Sequence, residues 1–311
     1  MKLLEDDAFD WHKHAMQPEV SKIVPMSKDP KAIIDTFYGD QHRVGTFFPW
    51  RKAEDVDLRI RKGEVSVYAG VNGNWKSMVT SQIALHLMNN SEKVLMASFE
   101  MLPEKTMKRM VRQALGTDMP TINYLNRFLH WTDNKGLIYS HYGRCSAKKV
   151  LAVCRYAAEV KGVQHVFIDS LMKVIDNVDD YSGQKLFIED LCTVAQSTGL
   201  HIHLVAHARK GMAETDRIDK FSIKGASEIG DQADNVYLCQ RNIQKERRAQ
   251  LPVVPEEDAA LPDFFFTVSK QRDGEFQGTL GLYWNSQSLC LVDSPKGSFP
   301  CIWLGDDLGG T

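Results

Sequence analysis

The sequence predicts an α/β protein, a mostly parallel sheet flanked by helices and completed by a C-terminal antiparallel meander. Three observations predict it. From residue 58 to residue 239, apolar runs of strand length alternate with helix-length segments, the pattern of a parallel sheet covered on both faces. A glycine-containing loop, Gly70-Val71-Asn72-Gly73-Asn74-Trp75, leads from one such run into Lys76-Ser77 and a helix. Near the C-terminus, three short apolar runs follow one another with only turn-length spacers, as in a meander.

Residues 1–45 are mixed and polar, and Pro18, Pro25 and Pro30 break any long helix. They read as an arm or linker, open to contact with a neighbouring subunit, with a short helix over 32–37. The main domain is expected over 46–293. Its first strand is 65–69, followed by a helix over 77–88. A second strand over 93–99 precedes a helix that starts after Pro103 and runs to Leu115. Strands over 137–140 and 164–168 flank a helix over 147–161. A helix over 184–197 leads to a strand over 200–206, and 235–239 is a further strand. A charged, proline-bearing segment over 241–262 then precedes the meander strands 264–269, 279–283 and 289–292. The tail 294–311 is Gly/Pro-rich and is expected to be flexible or to make a small surface contact.

Composition bounds the function. With 311 residues, 43% hydrophobic and 25% charged, the chain can bury a large core in one domain with arms. A net charge of −2 gives no global attraction to nucleic acid, so any such binding must be local. Six cysteines occur without a CxxC pair, which argues against a zinc ribbon or a redox motif. No apolar run reaches transmembrane length. The first residues, MKLLEDDAFDW, lack a signal-peptide core and are too acidic for a transit peptide. A cytoplasmic protein without membrane contact is expected.

The loop and Lys76-Ser77 have the layout of a phosphate-binding P-loop, G-x-x-x-x-G-K-[ST], with Trp75 in place of the second glycine. In such a loop, backbone N–H groups cradle phosphates, the lysine reaches the β/γ oxygens and the hydroxyl binds Mg²⁺. Gly70, Gly73, Lys76 and Ser77 can fill those roles. Asp169 follows the apolar run His165-Val166-Phe167-Ile168, at the edge where such sheets bind ligands. Alone it fits a strand-ending cap; beside the P-loop it fits a water-mediated Mg²⁺ ligand. Glu100 ends another strand and could polarise the water that attacks a γ-phosphate. It equally fits an acid at a helix N-terminus, since Pro103-Glu104 follow. His207 reaches the same edge, as a γ-phosphate sensor or as a structural histidine.

These segments occur in a recognisable order. Ser98-Phe99-Glu100-Met101, Phe167-Ile168-Asp169-Ser170-Leu171 and His203-Leu204-Val205-Ala206-His207-Ala208-Arg209-Lys210 follow the P-loop. Lys224-Gly225-Ala226-Ser227-Glu228, Gln232-Ala233-Asp234-Asn235 and Val268-Ser269-Lys270-Gln271-Arg272-Asp273-Gly274 come after them. Together they resemble the RecA-like P-loop NTPase motor of the superfamily 4 replicative DNA helicases, of the phage primase-helicase and Twinkle type and more distantly DnaB. The likeness spans 58–292.

The resemblance implies ATP, or dTTP or another NTP, with Mg²⁺ as cofactors. Gly70, Val71, Asn72, Gly73, Asn74, Trp75, Lys76 and Ser77 would form the nucleotide loop, and Ser77 and Asp169 the metal site. Glu100 would be the catalytic base and His207 the γ-phosphate sensor. Lys270 and Arg272 would be delivered into the next subunit of a hexameric ring. Trp284 matches an aromatic position that stacks on the base, while packing within the meander is its plain alternative. Single-stranded DNA would meet Arg209, Lys210, Arg217, Lys220 and Lys224, although Glu214, Asp216 and Asp219 leave that loop only modestly positive. Primase and polymerase would be replisome partners, in a host bacterial cytoplasm for a phage-encoded copy. No primase or zinc module precedes the motor in this sequence, so priming is expected to reside elsewhere. Trp75 leaves an alternative open, an ATPase-weakened ring or DNA-binding scaffold subunit, because a side chain hinders the backbone angles and close approach that glycine permits. A RecA-like recombinase or clock-type ATPase would share the fold, but the matches around Lys224 to Asn235 and Lys270 to Arg272 disfavour it.

Overall fold

The computed structural model describes residues 2–4, 30–31, 34, 45–174, 181–207, 230–250, 260–297 and 302. Its centre is a ten-stranded sheet in the order β1-β6-β5-β7-β8-β4-β9-β10-β11-β12. The strands are β1 (Lys2–Leu4), β4 (Val65–Gly70), β5 (Val94–Ser98), β6 (Gly136–Tyr139), β7 (His165–Asp169), β8 (His201–His207), β9 (Asn235–Arg241), β10 (Phe264–Gln271), β11 (Gly278–Asn285) and β12 (Cys290–Val292). β2 (Thr46–Phe47) and β3 (Arg59–Ile60) form a separate antiparallel pair. Pairing is parallel from β1 across to β9 and antiparallel from β9 to β12. The expected parallel sheet and meander are therefore both present, and Lys2–Leu4 adds an edge strand within the segment read as an arm.

The helices are α1 (Arg51–Glu54), α2 (Lys76–Asn89), α3 (Pro103–Leu115), α4 (Ile122–Thr132), α5 (Ala147–Glu159), α6 (Tyr181–Thr198) and α7 (Ile243–Arg248). Their ends follow local chemistry. Pro103 opens α3 and Gly116, at φ 67°, closes it in the left-handed conformation. Ser146 caps α5 and Thr121 caps α4, each accepting a hydrogen bond from a backbone N–H. The charged, proline-bearing segment after β9 contains α7, because Asn242 accepts from the Lys245 N–H and caps it.

Two cores lie on opposite faces of the sheet. One face packs the aliphatic residues Val65, Val67, Val166, Ile168, Ile202 and Leu204 against α5 and α6. The other packs Tyr68, Phe167, Tyr237, Phe264 and Phe266 against α2, α3 and the segment Phe48 to Trp50. The alternation of strand side chains separates the two. Helix α2 is buried almost all round, which is why its sequence carries little amphipathic signal. In the tail, Ile302 is buried and its N–H bonds the Ala114 carbonyl. The rest of 298–311 lies outside the described residues. Among the described residues, no helix is long and apolar enough to cross a membrane.

The second face carries a buried polar chain. The Glu92 carboxylate accepts from His165 Nε2 at 2.6 Å. His165 Nδ1 then accepts from His203 Nε2 at 3.3 Å, and His203 Nδ1 accepts from the Tyr68 hydroxyl at 3.0 Å. Each acceptor fixes the tautomer of the next ring. Beside them, His201 Nε2 meets the Ser66 hydroxyl at 2.9 Å. Burial pushes His201 down to about 3, and pushes His203 down as well. A histidine held neutral in the fold takes up a proton on unfolding at any pH between its folded value and the ordinary 6.5. Stability is therefore lost as pH falls through that window. In His201→Gln, urea unfolding measured from pH 7 to pH 4 should show a stability–pH slope shallower by up to about 1.4 kcal/mol per pH unit.

Candidate functional site

The C-terminal ends of β4, β5, β7 and β8 meet at one sheet edge. There a cleft of about 400 Å³ is lined by Asn72, Gly73, Asn74, Trp75, Lys76, Ser77, Met78, Glu100, Arg109, Asp169, Val205 and His207. Parallel strands place their loops on the same side, so residues far apart in sequence converge. The loop after β4 delivers Lys76 and Ser77 at the first turn of α2, where unpaired backbone N–H groups favour an anion.

Gly70 is fixed by close approach. A Cβ there would lie 2.4 Å from the Cys239 carbonyl of β9. The Lys76 ammonium folds back onto the carbonyls of Gly70 and Val71, at 2.8 and 3.0 Å, and burial lowers its pKa. Desolvation raises the pKa of half-buried Asp169, although a hydrogen bond from Ser77 acts the other way. Glu100 is pulled to about 2, first by His207 and then by Ser170, working against partial burial. The Ser170 hydroxyl donates to Glu100 Oε1 at 2.6 Å, and His207 Nε2 stands 3.6 Å from the same oxygen. Glu100 is thus ionised across the neutral range. The buried Nδ1 of His207 has no partner among the described residues.

These features suit a nucleoside triphosphate and a hard cation. A lysine hydrogen-bonded to two carbonyls and the N-terminus of α2 face one cleft, which His207 also lines. Ser77 and Asp169 offer the oxygen donors that Mg²⁺ takes alongside water and phosphate, and Mg²⁺ bound there would supply charge neutralisation at the phosphates.

Trp75 adopts φ 53°, ψ 18°, the left-handed conformation in which glycine is unstrained. For a bulky side chain this costs about 1–2 kcal/mol. Its indole stacks on Trp284 with centroids 4.2 Å apart and planes at 21°, and lies near-parallel to Phe264 at 6.1 Å. The Arg241 guanidinium sits 4.6 Å from its centre. Arg241 also donates to the Gly73 carbonyl at 3.2 Å and is held by Glu246 at 2.6 and 2.9 Å.

The remaining expected residues lie elsewhere. Lys270 and Arg272 are at the opposite edge of the sheet, since Gln271 pairs with Asn235, which pairs with Ser66 near the start of β4. Four residues of β4, about 13 Å, separate that level from Gly70. There Arg272 pairs with buried Asp234 at 2.6 Å, and Lys270 donates to the carbonyls of Gly230 and Asp231. Asp234 also accepts from the Val65 N–H at 2.8 Å. Trp284 lies against Trp75 and is not among the residues lining the cleft. Arg209, Lys210, Arg217, Lys220 and Lys224 fall outside the described residues.

Sequence reasoning passed over Arg109 and Arg241. Arg109 lines the cleft from α3, donating to the Ser77 carbonyl at 3.0 Å, and burial lowers its pKa while nearby Asp169 opposes this. Its one signal is position, a cation nine residues after Glu100 on the helix that Glu100 precedes. Arg241 opens the charged, proline-bearing segment 241–262 and is not linked to the loop by sequence pattern. As a test of the close approach at the loop, Gly70→Ala should lower unfolding stability by about 1–3 kcal/mol in urea titration, by forcing β4 and β9 apart.

Comparison with known proteins agrees with this architecture. A profile of the AAA domain family matches residues 51–213. One solved structure, titled as an ATPase domain, superposes with a TM-score of 0.71 at 15% identity, covering 86% of this chain and 99% of that one. The structure titled "The Structure Of A DnaB-Like Replicative Helicase And Its Interactions With Primase" gives a TM-score of 0.71 at 14% identity, covering 86% and 68%. The chain belongs to the AAA domain family and shares the fold of these two ATPase and helicase structures.

Proposed function

We propose that the chain is the motor of an ATP-dependent replicative DNA helicase, translocating on single-stranded DNA as a ring and hydrolysing NTP at subunit interfaces. One observation carries the reading. The cleft and Arg272 lie on opposite edges of the same sheet, which supports delivery of Arg272 to a neighbouring subunit's cleft rather than to its own. Within one subunit, Lys76 and the α2 N-terminus hold the β- and γ-phosphates, and Ser77 with Asp169 carries Mg²⁺. Glu100 orients the attacking water; with its pKa near 2 it acts chiefly by accepting a hydrogen bond, since so weak a base abstracts little in the ground state. His207, which lines the cleft, reads the γ-phosphate. Arg272 and Lys270 of the adjacent subunit stabilise the charge that develops on transfer. Single-stranded DNA runs along Arg209, Lys210, Arg217, Lys220 and Lys224, with several subunits sharing one strand. A primase and a polymerase are partners of such a motor; one structural neighbour is titled for its interactions with primase.

The strained backbone at Trp75 supports a second reading, a ring subunit with weakened hydrolysis that scaffolds a replisome. DNA-stimulated ATP hydrolysis separates the two. For the motor, Arg272→Ala should cost about 10³-fold or more in turnover while ATP still binds. Mixing Arg272→Ala with Lys76→Ala chains should restore part of the activity, because one type supplies the lysine and the other the arginine to a shared site. Undiminished turnover in Arg272→Ala would sink the trans assignment, and a wild-type chain without DNA-stimulated hydrolysis would leave the scaffold.

A further inference from the structure

We infer that Glu64 enters the fold as a neutral acid and donates its proton to Asn235, closing an acid–amide pair that locks β4 to β9 until Glu64 ionises. Glu64 immediately precedes β4 and Asn235 opens β9; the two residues are 4% and 0% exposed. Asn235 Nδ2 donates to Glu64 Oε2 at 2.8 Å and to the Ser66 hydroxyl at 3.2 Å. The orientation of that amide is fixed by its neighbours. His201 Nδ1 bonds the Arg61 carbonyl, which can only accept, and burial keeps the ring neutral. His201 Nε2 is therefore bare and takes the Ser66 proton at 2.9 Å. Ser66 is left to accept, and only the nitrogen end of the Asn235 amide can donate to it. With both amide protons used, Asn235 Oδ1 and Glu64 Oε1 remain, each buried and without a partner among the described residues. The hydroxyl of buried Tyr237 reaches neither of them.

With Glu64 ionised, both leftover oxygens are acceptors, and two buried acceptors without a donor are unfavourable. One proton on Glu64 Oε1, donated to Asn235 Oδ1, satisfies both and completes the second bond of the pair. The surroundings favour that proton. Burial away from water is the largest influence on Glu64 and raises its carboxyl to about 7, against the Asn235 hydrogen bond and the Arg61 charge. The charges of Asp273 and Asp234 act with burial, and Arg61 is itself engaged with Gln271 Oε1 at 3.3 Å. The backbone on either side is already joined: the Val65 N–H donates to Asp234 Oδ2 at 2.8 Å, and the Asp234 N–H to the Val65 carbonyl at 3.1 Å. Ionised Glu64 adds a second buried carboxylate at this junction, beside the one that Arg272 holds. Since the folded carboxyl titrates above the ordinary 4.5, the contribution of the pair is fully present below pH 4.5 and is lost as pH rises through about 7. This dependence is opposite in sign to that of His201.

Glu64→Gln tests the inference, because a carboxamide can make both bonds to Asn235 without a titrating proton. In urea unfolding of the full chain from pH 4.5 to about pH 9, the unfolding constant of the wild type should rise relative to that of Glu64→Gln. The rise should reach about tenfold per pH unit, ~10²-fold in all, and level off above about pH 7. The histidines titrate in both chains and cancel in the ratio. Infrared difference spectra read the proton directly and do not depend on how well Glu64→Gln folds. They are recorded in an Asp169→Asn background, which removes the other carboxyl whose pKa is raised. The carbonyl band of an un-ionised carboxylic acid should be present at about pH 6 and lost by about pH 8.5, and absent throughout when Glu64→Gln is added. A constant ratio of unfolding constants across the range overturns the inference. So does the absence of any carboxylic band titrating near pH 7, the result expected if a water molecule bridges the two oxygens instead. Neither measurement involves a nucleotide, so the outcome is independent of the motor reading.

Discussion

The site depends on how closely β4 and β9 approach at their C-terminal ends. The Cys239 carbonyl occupies the space where any side chain at position 70 would begin. With that distance set, the start of the loop is bound to β9, and Arg241, two residues beyond Cys239, reaches the Gly73 carbonyl and the Trp75 ring. Lys76 closes the loop from inside by returning to the carbonyls of Gly70 and Val71. The loop is therefore shaped by a neighbouring strand as much as by its own residues. This is the physical reason a tryptophan can stand where the motif has glycine: the left-handed backbone is imposed from both ends, and the side chain has a prepared place to pack.

The same edge gathers charges that do not neutralise one another directly. Lys76 contacts carbonyls, not carboxylates; Asp169 is half-buried beside Ser77; Glu100 faces His207 and Ser170. Ionised Glu100 disfavours the ionised form of Asp169, and burial acts on both. Such a set is unfavourable for stability taken alone, and breaks of this kind with local consistency concentrate where a ligand completes the arrangement. At the far edge the opposite holds: buried Asp234 is satisfied by Arg272 and by the Val65 N–H.

Much of this was legible in the residues. The parallel strands declare themselves because they are apolar on both faces, as in 94–97 and 166–168, and β5, β7 and β8 end in a polar residue at the same edge. Lys76, Ser77, Glu100, Asp169 and His207 could be placed because strand-end position fixes where a side chain emerges. What stayed hidden depends on contacts across the chain. Helix α4 presents exposed Ile122 and Tyr124, so its pattern does not announce a buried stripe. Helix α7 is short and charged, and it follows from Asn242 and from the pairing of Glu246 with Arg241. The pairing of Trp75 with Trp284 joins two residues of separate elements that no local pattern links. The ordered likeness to helicase motors, in turn, brought Arg272 into view; spacing alone would have left it a loop cation.

Strand β8 divides its sequence between two tasks by parity. Ile202, Leu204 and Ala206 enter the aliphatic core, while His201, His203 and His207 lie along the face that carries the hydrogen-bonded rings and ends at the cleft. Insertion or loss of a single residue in this strand would exchange the two sets, driving imidazoles into the aliphatic layer and removing the last histidine from beside Glu100. Length in β8 is therefore held more tightly than identity: the aliphatic positions can trade among Val, Ile and Leu, but their number between Gly199 and the cleft cannot change.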